Sequence, residues 1–249
     1  MNTSVNSEAL NENDCNLTPD QLPVLTHHLT EAEALAINGT MLQEAEFQKF
    51  VRLWCDAHNE TGDSLSLVEL FGAYYCQEAS RLCAKNVASH ELLLRSLNHY
   101  TVFLQNPTLK NDIRYFAQWQ MGLVMERLCF PWPEVEKTLL AASPIHEGRG
   151  EATRHVIQHY RAKKAWTFGY LYSTIAIKKF HEKIPTDCKW FIDPSFYTWK
   201  VMYYHADICS NLRMEEEMMN AYRKILPYVE QHPEEFTKKQ IKFFQQFKN

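Results

Sequence analysis

Glycine and proline are scarce in this 249-residue chain, at 7 and 10 residues. So few turn formers exclude a many-stranded sheet, which needs a turn signal about every 8–12 residues, and favour long helices on short loops. A basic excess is also missing: 26 basic residues stand against 30 acidic ones, for a net charge of −4. Nucleic acid is therefore not an expected partner. The seven cysteines, at positions 15, 55, 76, 83, 129, 188 and 209, form no Cys-x-x-Cys pair. Scattered through helical runs, they are expected to be small apolar core residues in a reducing compartment, with neither a disulfide nor a zinc framework. The stretch from Met1 to Asp14 has no basic start or apolar run of the kind a signal peptide carries. No apolar stretch reaches the ~18 residues of a membrane span, and the expected location is the cytoplasm. Serine nucleophile elbows, Gly-rich phosphate loops and Cys/His catalytic signatures do not occur, so no catalytic residue, cofactor or metal is assigned.

What is present is helical. Hydrophobic residues make up 45% of the chain and aromatics 13%, enough for a sizeable core. Residues 1–20 are polar and acidic and are expected to be a disordered arm. Thr30 followed by Glu33 is a capping box opening a short helix that ends near Asn38-Gly39. Helical spacing then predicts Gln43 to His58, Ser66 to Lys85, His90 to Gln105 and Asp112 to Phe130. Pro131-Trp132-Pro133 introduces a short helix from Glu134 to Ala142; Glu147 to Lys164 and Trp166 to His181 follow. After a connector from Ile184 to Asp193, Pro194 starts a helix to about Asn211, and Met214 to Glu230 packs back.

Helix pairs begin near Leu67, Leu109, Gly150 and Ser195, a period of roughly 40 to 45 residues, which is that of a helix-pair solenoid. One pair cannot bury both its faces, so the pairs must stack. The expected architecture is all-α, a tetratricopeptide-like right-handed stack of about five antiparallel helix pairs over residues 21–232. Residues 233–249, with Phe236, Ile241, Phe244 and Phe247, form a terminal helix that caps the stack or projects as a hook.

The stretch from Arg149 to Trp199 carries a distinctive series. It runs Arg149-x-Glu151-Ala152, Tyr160-Arg161, Pro185, Trp190-Phe191-Ile192-Asp193, then Tyr197-x-Trp199. Arg114-Tyr115, Ala117, Gly122, Trp132, Ala141-Ala142 and Pro144 precede it in matching places. Over residues 92–228 this resembles the tetratricopeptide-like helical tail that follows the catalytic domain in some bacterial and viral family 2 glycosyltransferases. The resemblance implies a helical-repeat fold and a partnership with glycan synthesis. It does not imply transferase chemistry, since the chain has no Asp-x-Asp to hold a metal-bound sugar nucleotide. Tyr204 also stands where that tail has an acidic residue five positions after the tryptophan, which unsettles a polar network there.

Within this series Arg149, Glu151, Arg161 and Asp193 have two readings: they hold neighbouring repeats in register, or they line a ligand groove. Glu151 near a helix start and Arg161 near its end suit the helix dipole, and Asp193 before Pro194 suits an N-cap. Tyr160, Tyr197 and Trp199 belong to a dense aromatic set; most of that set is core, with Tyr197 and Trp199 the exceptions that shape a groove. Glu151, His155 and His159 share one helix face at metal-chelating spacing or form a polar face. Arg161-Ala162-Lys163-Lys164 and Lys178-Lys179 are solvated basic clusters. Three functions follow: a non-catalytic scaffold whose groove accepts a peptide or helix of another protein; an accessory of glycan synthesis that binds a glycosyltransferase or its acceptor sugar; and an enzyme with an unrecognised metal-dependent site.

Overall fold

A computed structural model describes residues 18, 22, 29–61, 64–83 and 86–248. The arm assigned to residues 1–20 lies outside them except for Thr18. The described chain is all-helical, with helices packed in adjacent pairs and no strand. None of these helices is long and apolar enough to cross a membrane. By its contacts the chain divides into two compact units, residues 1–138 and 139–249.

The first unit holds α1 (Glu31–Gln43), α2 (Ala45–Thr61), α3 (Ser64–Leu82), α4 (Asn86–Leu104) and α5 (Asn111–Arg127). Thr30 caps α1 through the expected reciprocal box with Glu33. The helix does not stop at Asn38-Gly39. It runs on to Gln43, because the Asn38 side chain is buried and accepts a 2.7 Å hydrogen bond from the Tyr75 hydroxyl, so tertiary pairing overrides a local stop signal. Phe47, Phe50 and Trp54 of α2 face Phe71 and Tyr74 of α3, with the Phe50 and Tyr74 rings stacked at 4.1 Å. The Trp54 indole also donates to the Leu67 carbonyl at 2.7 Å. Polar bonds cross between α3, α4 and α5: Gln77 donates to Gln120 and accepts from Tyr100, while Arg127 donates to Ser80.

The seven cysteines are not all reduced, as their spacing led us to expect. Cys55 is disulfide-bonded, while Cys76, Cys83, Cys129, Cys188 and Cys209 take part in no disulfide. Pairing depends on which Cβ atoms folding brings close, and spacing along the chain does not report that.

The division between units falls within α6 (Trp132–Leu140). The second unit then holds α7 (Glu151–Ala162), α8 (Trp166–Phe180), a π-helical turn (Phe196–Lys200), α9 (Val201–Asn211), α10 (Glu215–Gln231), a 3-10 turn (Pro233–Glu235) and α11 (Lys238–Gln245). Each of α7 to α10 packs on the next, and α7 also reaches α9. Gly169 permits the close approach of α8 to α9: a Cβ there would stand 3.2 Å from Ile208 Cδ1. Phe236 and Phe244 are buried against this core while Lys238, Lys239 and Lys242 face solvent, so α11 lies back on its neighbours.

A local repeat marks the turn inside three of the pairs. Cys129, Lys164 and Arg213, just past α5, α7 and α9, all adopt φ near +60°. At each, the following amide donates five residues back: Phe130 to Met125, Ala165 to Tyr160 and Met214 to Cys209. This is the Schellman closure, usually made with glycine, built here three times without it.

Candidate functional site

The Arg149-to-Trp199 series assembles into a buried knot. Gly150 precedes α7 and offers no capping side chain, so the start of the helix is closed from a distance: the Tyr197 hydroxyl accepts the Gly150 amide at 2.8 Å and donates to Glu151 Oε1 at 2.9 Å. Arg149 Nε donates to Glu151 Oε2 at 3.1 Å, and its guanidinium reaches the Trp190 carbonyl at 2.5 Å. Arg149, Glu151 and Tyr197 are all 0% exposed. Glycine is required at 150 because a Cβ would fall 2.5 Å from the Phe196 ring.

Asp193 sits at the rim of this knot. Its carboxylate accepts the Ser195 amide at 3.2 Å, as an N-cap does, pairs with Arg154, and lies 3.3 Å from Lys200 Nζ. Partial burial pushes its pKa up, but the Ser195 bonds and the Arg154 and Lys200 charges outweigh that and hold it below the usual carboxylate range. Arg161 forks onto Asp207 at 2.9 and 2.5 Å and lies over the Tyr204 ring at 4.6 Å. The tyrosine at 204 therefore removes no network. Asp207 supplies the carboxylate one turn on, and Tyr204 takes a cation–π contact and accepts from Gln158 at 2.9 Å.

Burial removes three of the expected groove residues from any groove wall. Arg149, Glu151 and Tyr197 have no solvent-facing surface and join α7 to the connector and the π-helical turn. Tyr197 was expected to be exposed because it follows a connector, yet the π-helical turn directs it inward. Trp199 is half-buried against Phe236, ring centres 5.0 Å apart. Arg161 and Asp193 are partly exposed but paired. The face of Glu151, His155 and His159 does not gather as a metal site: the Glu151 carboxylate is taken by Arg149 and Tyr197, and the three do not converge.

Two features of the same unit were not legible in the pattern. The first is an apolar stripe on α8. Phe168, Leu171 and Ile175 are 56%, 52% and 47% exposed, one helical face left uncovered. Tyr160 of α7 stacks beside it on Phe168 at 5.2 Å and on Tyr172 at 5.7 Å. Exposed Lys163, Lys164, Lys178 and Lys179 bracket the stripe. The sequence signal was the i, i+3, i+7 spacing, which reads equally well as a core face.

The second is a cluster of His205, Cys209 and Glu217, whose ligand atoms lie within 4.8 Å of one another. Glu217 Oε1 is 3.2 Å and Cys209 Sγ 3.5 Å from His205 Nε2. Burial holds the His205 imidazole below its ordinary pKa against the pull of Glu217. Burial, with Glu217 adding, pushes the Cys209 thiol up to about 12. Beside the cluster is a pocket of about 270 Å³, lined among others by Thr174, Met202, Asn220 and Lys224. The available signal was His205-x-x-x-Cys209 on one face of a helix, with an acidic residue just past the next turn.

Comparison with models of known protein families, with curated proteins and with solved structures finds no match. The functional reading therefore rests on the chain's own geometry.

Proposed function

We propose that the chain is a non-catalytic interaction module that receives an amphipathic helix of another protein along α8. The observation that carries this is the stripe of Phe168, Leu171 and Ile175. Single exposed apolar residues are ordinary on protein surfaces, but three on one helical face beside a stacked tyrosine pair form a strip that helix-in-groove recognition uses. Lysines at both ends favour a partner helix with acidic flanks, since charge complementarity raises the encounter rate and fixes direction. The groove first assigned to Tyr197 and Trp199 is not part of this reading.

The test places a photo-crosslinking residue at Leu171 in the full chain and irradiates it in native lysate. The expected result is one protein adduct that disappears in Phe168→Asp/Ile175→Asp and does not form with the crosslinker at Lys183. Adducts that ignore the double substitution contradict the proposal. The double variant should keep the parent melting temperature, because substitutions at exposed sites usually cost under ~0.5 kcal/mol each.

The glycan-synthesis reading has one supporting observation. Tyr160, Tyr172 and Phe168 form a layered aromatic edge, with Tyr160 and Tyr172 only 8° from parallel, and flat aromatic faces are what sugar rings stack on. An adduct identified as a glycosyltransferase, or acceptor-sugar binding lost in Phe168→Ala, would favour it.

A further inference from the structure

We propose that His205, Cys209 and Glu217 form a binding site for a divalent cation of the zinc class. The site is distinct from the α8 stripe and from the buried knot. Its three donors come from two helices, His205 and Cys209 one turn apart on α9 and Glu217 in the first turn of α10. The donor set of one imidazole, one thiol and one carboxylate suits a borderline-soft ion, and the thiol disfavours magnesium and calcium.

The spacing matches coordination geometry. With Zn–S about 2.3 Å, Zn–N about 2.05 Å and Zn–O about 2.1 Å, tetrahedral edges are about 3.6 Å for S to N and about 3.4 Å for N to O. The structure has 3.5 Å from Cys209 Sγ to His205 Nε2 and 3.2 Å from His205 Nε2 to Glu217 Oε1. The third pair, Cys209 Sγ and the Glu217 carboxylate, lies within 4.8 Å.

The surroundings orient the ligands. Ser173 Oγ donates to the Tyr170 carbonyl at 3.1 Å, so toward His205 Nδ1, 2.9 Å away, it acts as acceptor. The ring proton is thereby placed on Nδ1 and the lone pair of Nε2 faces the thiol and the carboxylate. A partner on the other ring nitrogen is the usual way a metal-ligating histidine is fixed. The Tyr170 hydroxyl holds the Glu217 carboxylate at 3.0 and 3.1 Å, and its ring stacks on His205 at 5.4 Å. The cluster lies beside the 270 Å³ pocket, where Thr174 Oγ1 is buried without a hydrogen-bond partner. A fourth ligand, such as water, has room and a polar neighbour there.

A thiol–imidazole–carboxylate relay is the competing chemistry, and the geometry opposes it. In a relay the acid holds one ring nitrogen while the other faces the nucleophile. Here Cys209 and Glu217 both address Nε2 and serine holds Nδ1, which is convergence on a point. The other clusters of possible ligands, His146–Asp187–Cys188 and His232–Glu234–Glu235, each include exposed carboxylates, whereas His205 and Cys209 are buried.

The test is cobalt(II) titration of the full-length, chelator-treated chain, followed by absorption. The expected result is one equivalent bound with a thiolate-to-cobalt charge-transfer band and tetrahedral visible bands. Cys209→Ser removes the charge-transfer band, Glu217→Gln weakens binding, and Ser173→Ala, which touches no metal, weakens it by about 10- to 100-fold. Zinc displaces the colour stoichiometrically. Glu217 is partly exposed, so its variant reports even if Cys209→Ser folds poorly. The proposal is overturned by a folded wild-type chain that shows no band, by saturation only above about 1 mM cobalt, or by a band undiminished in Cys209→Ser.

Discussion

The second unit contains two polar clusters built from similar residue types that behave as opposites. Around Glu151, every donor has a taker: Arg149 and Tyr197 occupy its two oxygens and the Gly150 amide closes the ring. Around His205, Glu217 and Cys209 press on one nitrogen from two sides, next to a pocket with an unpartnered hydroxyl. A closed network has no valence left for a ligand and serves as a joint, whereas a convergent one leaves a point where a ligand belongs. Charge and burial alone do not tell them apart; the count of donors against acceptors does.

The contrast is tested first on the closed side. Arg149→Ala leaves Glu151 as a buried carboxylate without its cation and should cost about 3–5 kcal/mol, read as a fall in the urea midpoint or outright loss of folding. A cost under ~1 kcal/mol would mean the pair is not structural. Tyr197→Phe keeps the ring and removes only the shared hydroxyl. It should cost about 1–3 kcal/mol by the same measurement, since the Gly150 amide loses the hydroxyl that accepts it and Glu151 Oε1 keeps only the Asp193 amide at 3.4 Å.

Asp193 gives a smaller effect with a defined pH signature. Its folded pKa lies below its unfolded one, so its contribution is fully present above the unfolded value of about 3.9 and is lost as pH falls from there through the folded value. Asp193→Asn should therefore lower stability at pH 7 and flatten the acid limb of a stability-against-pH curve. A limb of unchanged slope would remove Asp193 from the account. Smallest of all, Glu217→Gln should change the metal-free stability by under about 1 kcal/mol, because this partly exposed carboxylate contributes little to folding.

Helix existence and pairing were legible because apolar spacing and the capping box at Thr30 act locally. The starts expected near Leu67, Leu109, Gly150 and Ser195 fall within a few residues of Ser64, Asn111, Glu151 and Phe196. The end of α1 was not legible, since Asn38 is held by a tyrosine from α3, far along the chain. The residues of the knot were picked out by their series, but their burial depended on the π-helical turn that swings Tyr197 inward, for which the sequence has no signal. His205, Cys209 and Glu217 are hard to read as a set because two lie in one helix and the third across a turn, and Ser173 and Tyr170 of α8 orient His205 and Glu217. The α8 stripe has the spacing of a core face, and only the fold leaves it uncovered.

The most direct measurement is thermal melting of the chelator-treated chain with and without zinc, in wild type, Tyr197→Phe, Glu217→Gln and Cys209→Ser. Binding at a concentration 100-fold above the dissociation constant adds about 2.7 kcal/mol. The account predicts a zinc-dependent rise of the same size in wild type and in the less stable Tyr197→Phe, a reduced rise in Glu217→Gln and none in Cys209→Ser. No rise in the wild-type chain, or an equal rise in Cys209→Ser, would contradict the distinction between a closed joint and an open site.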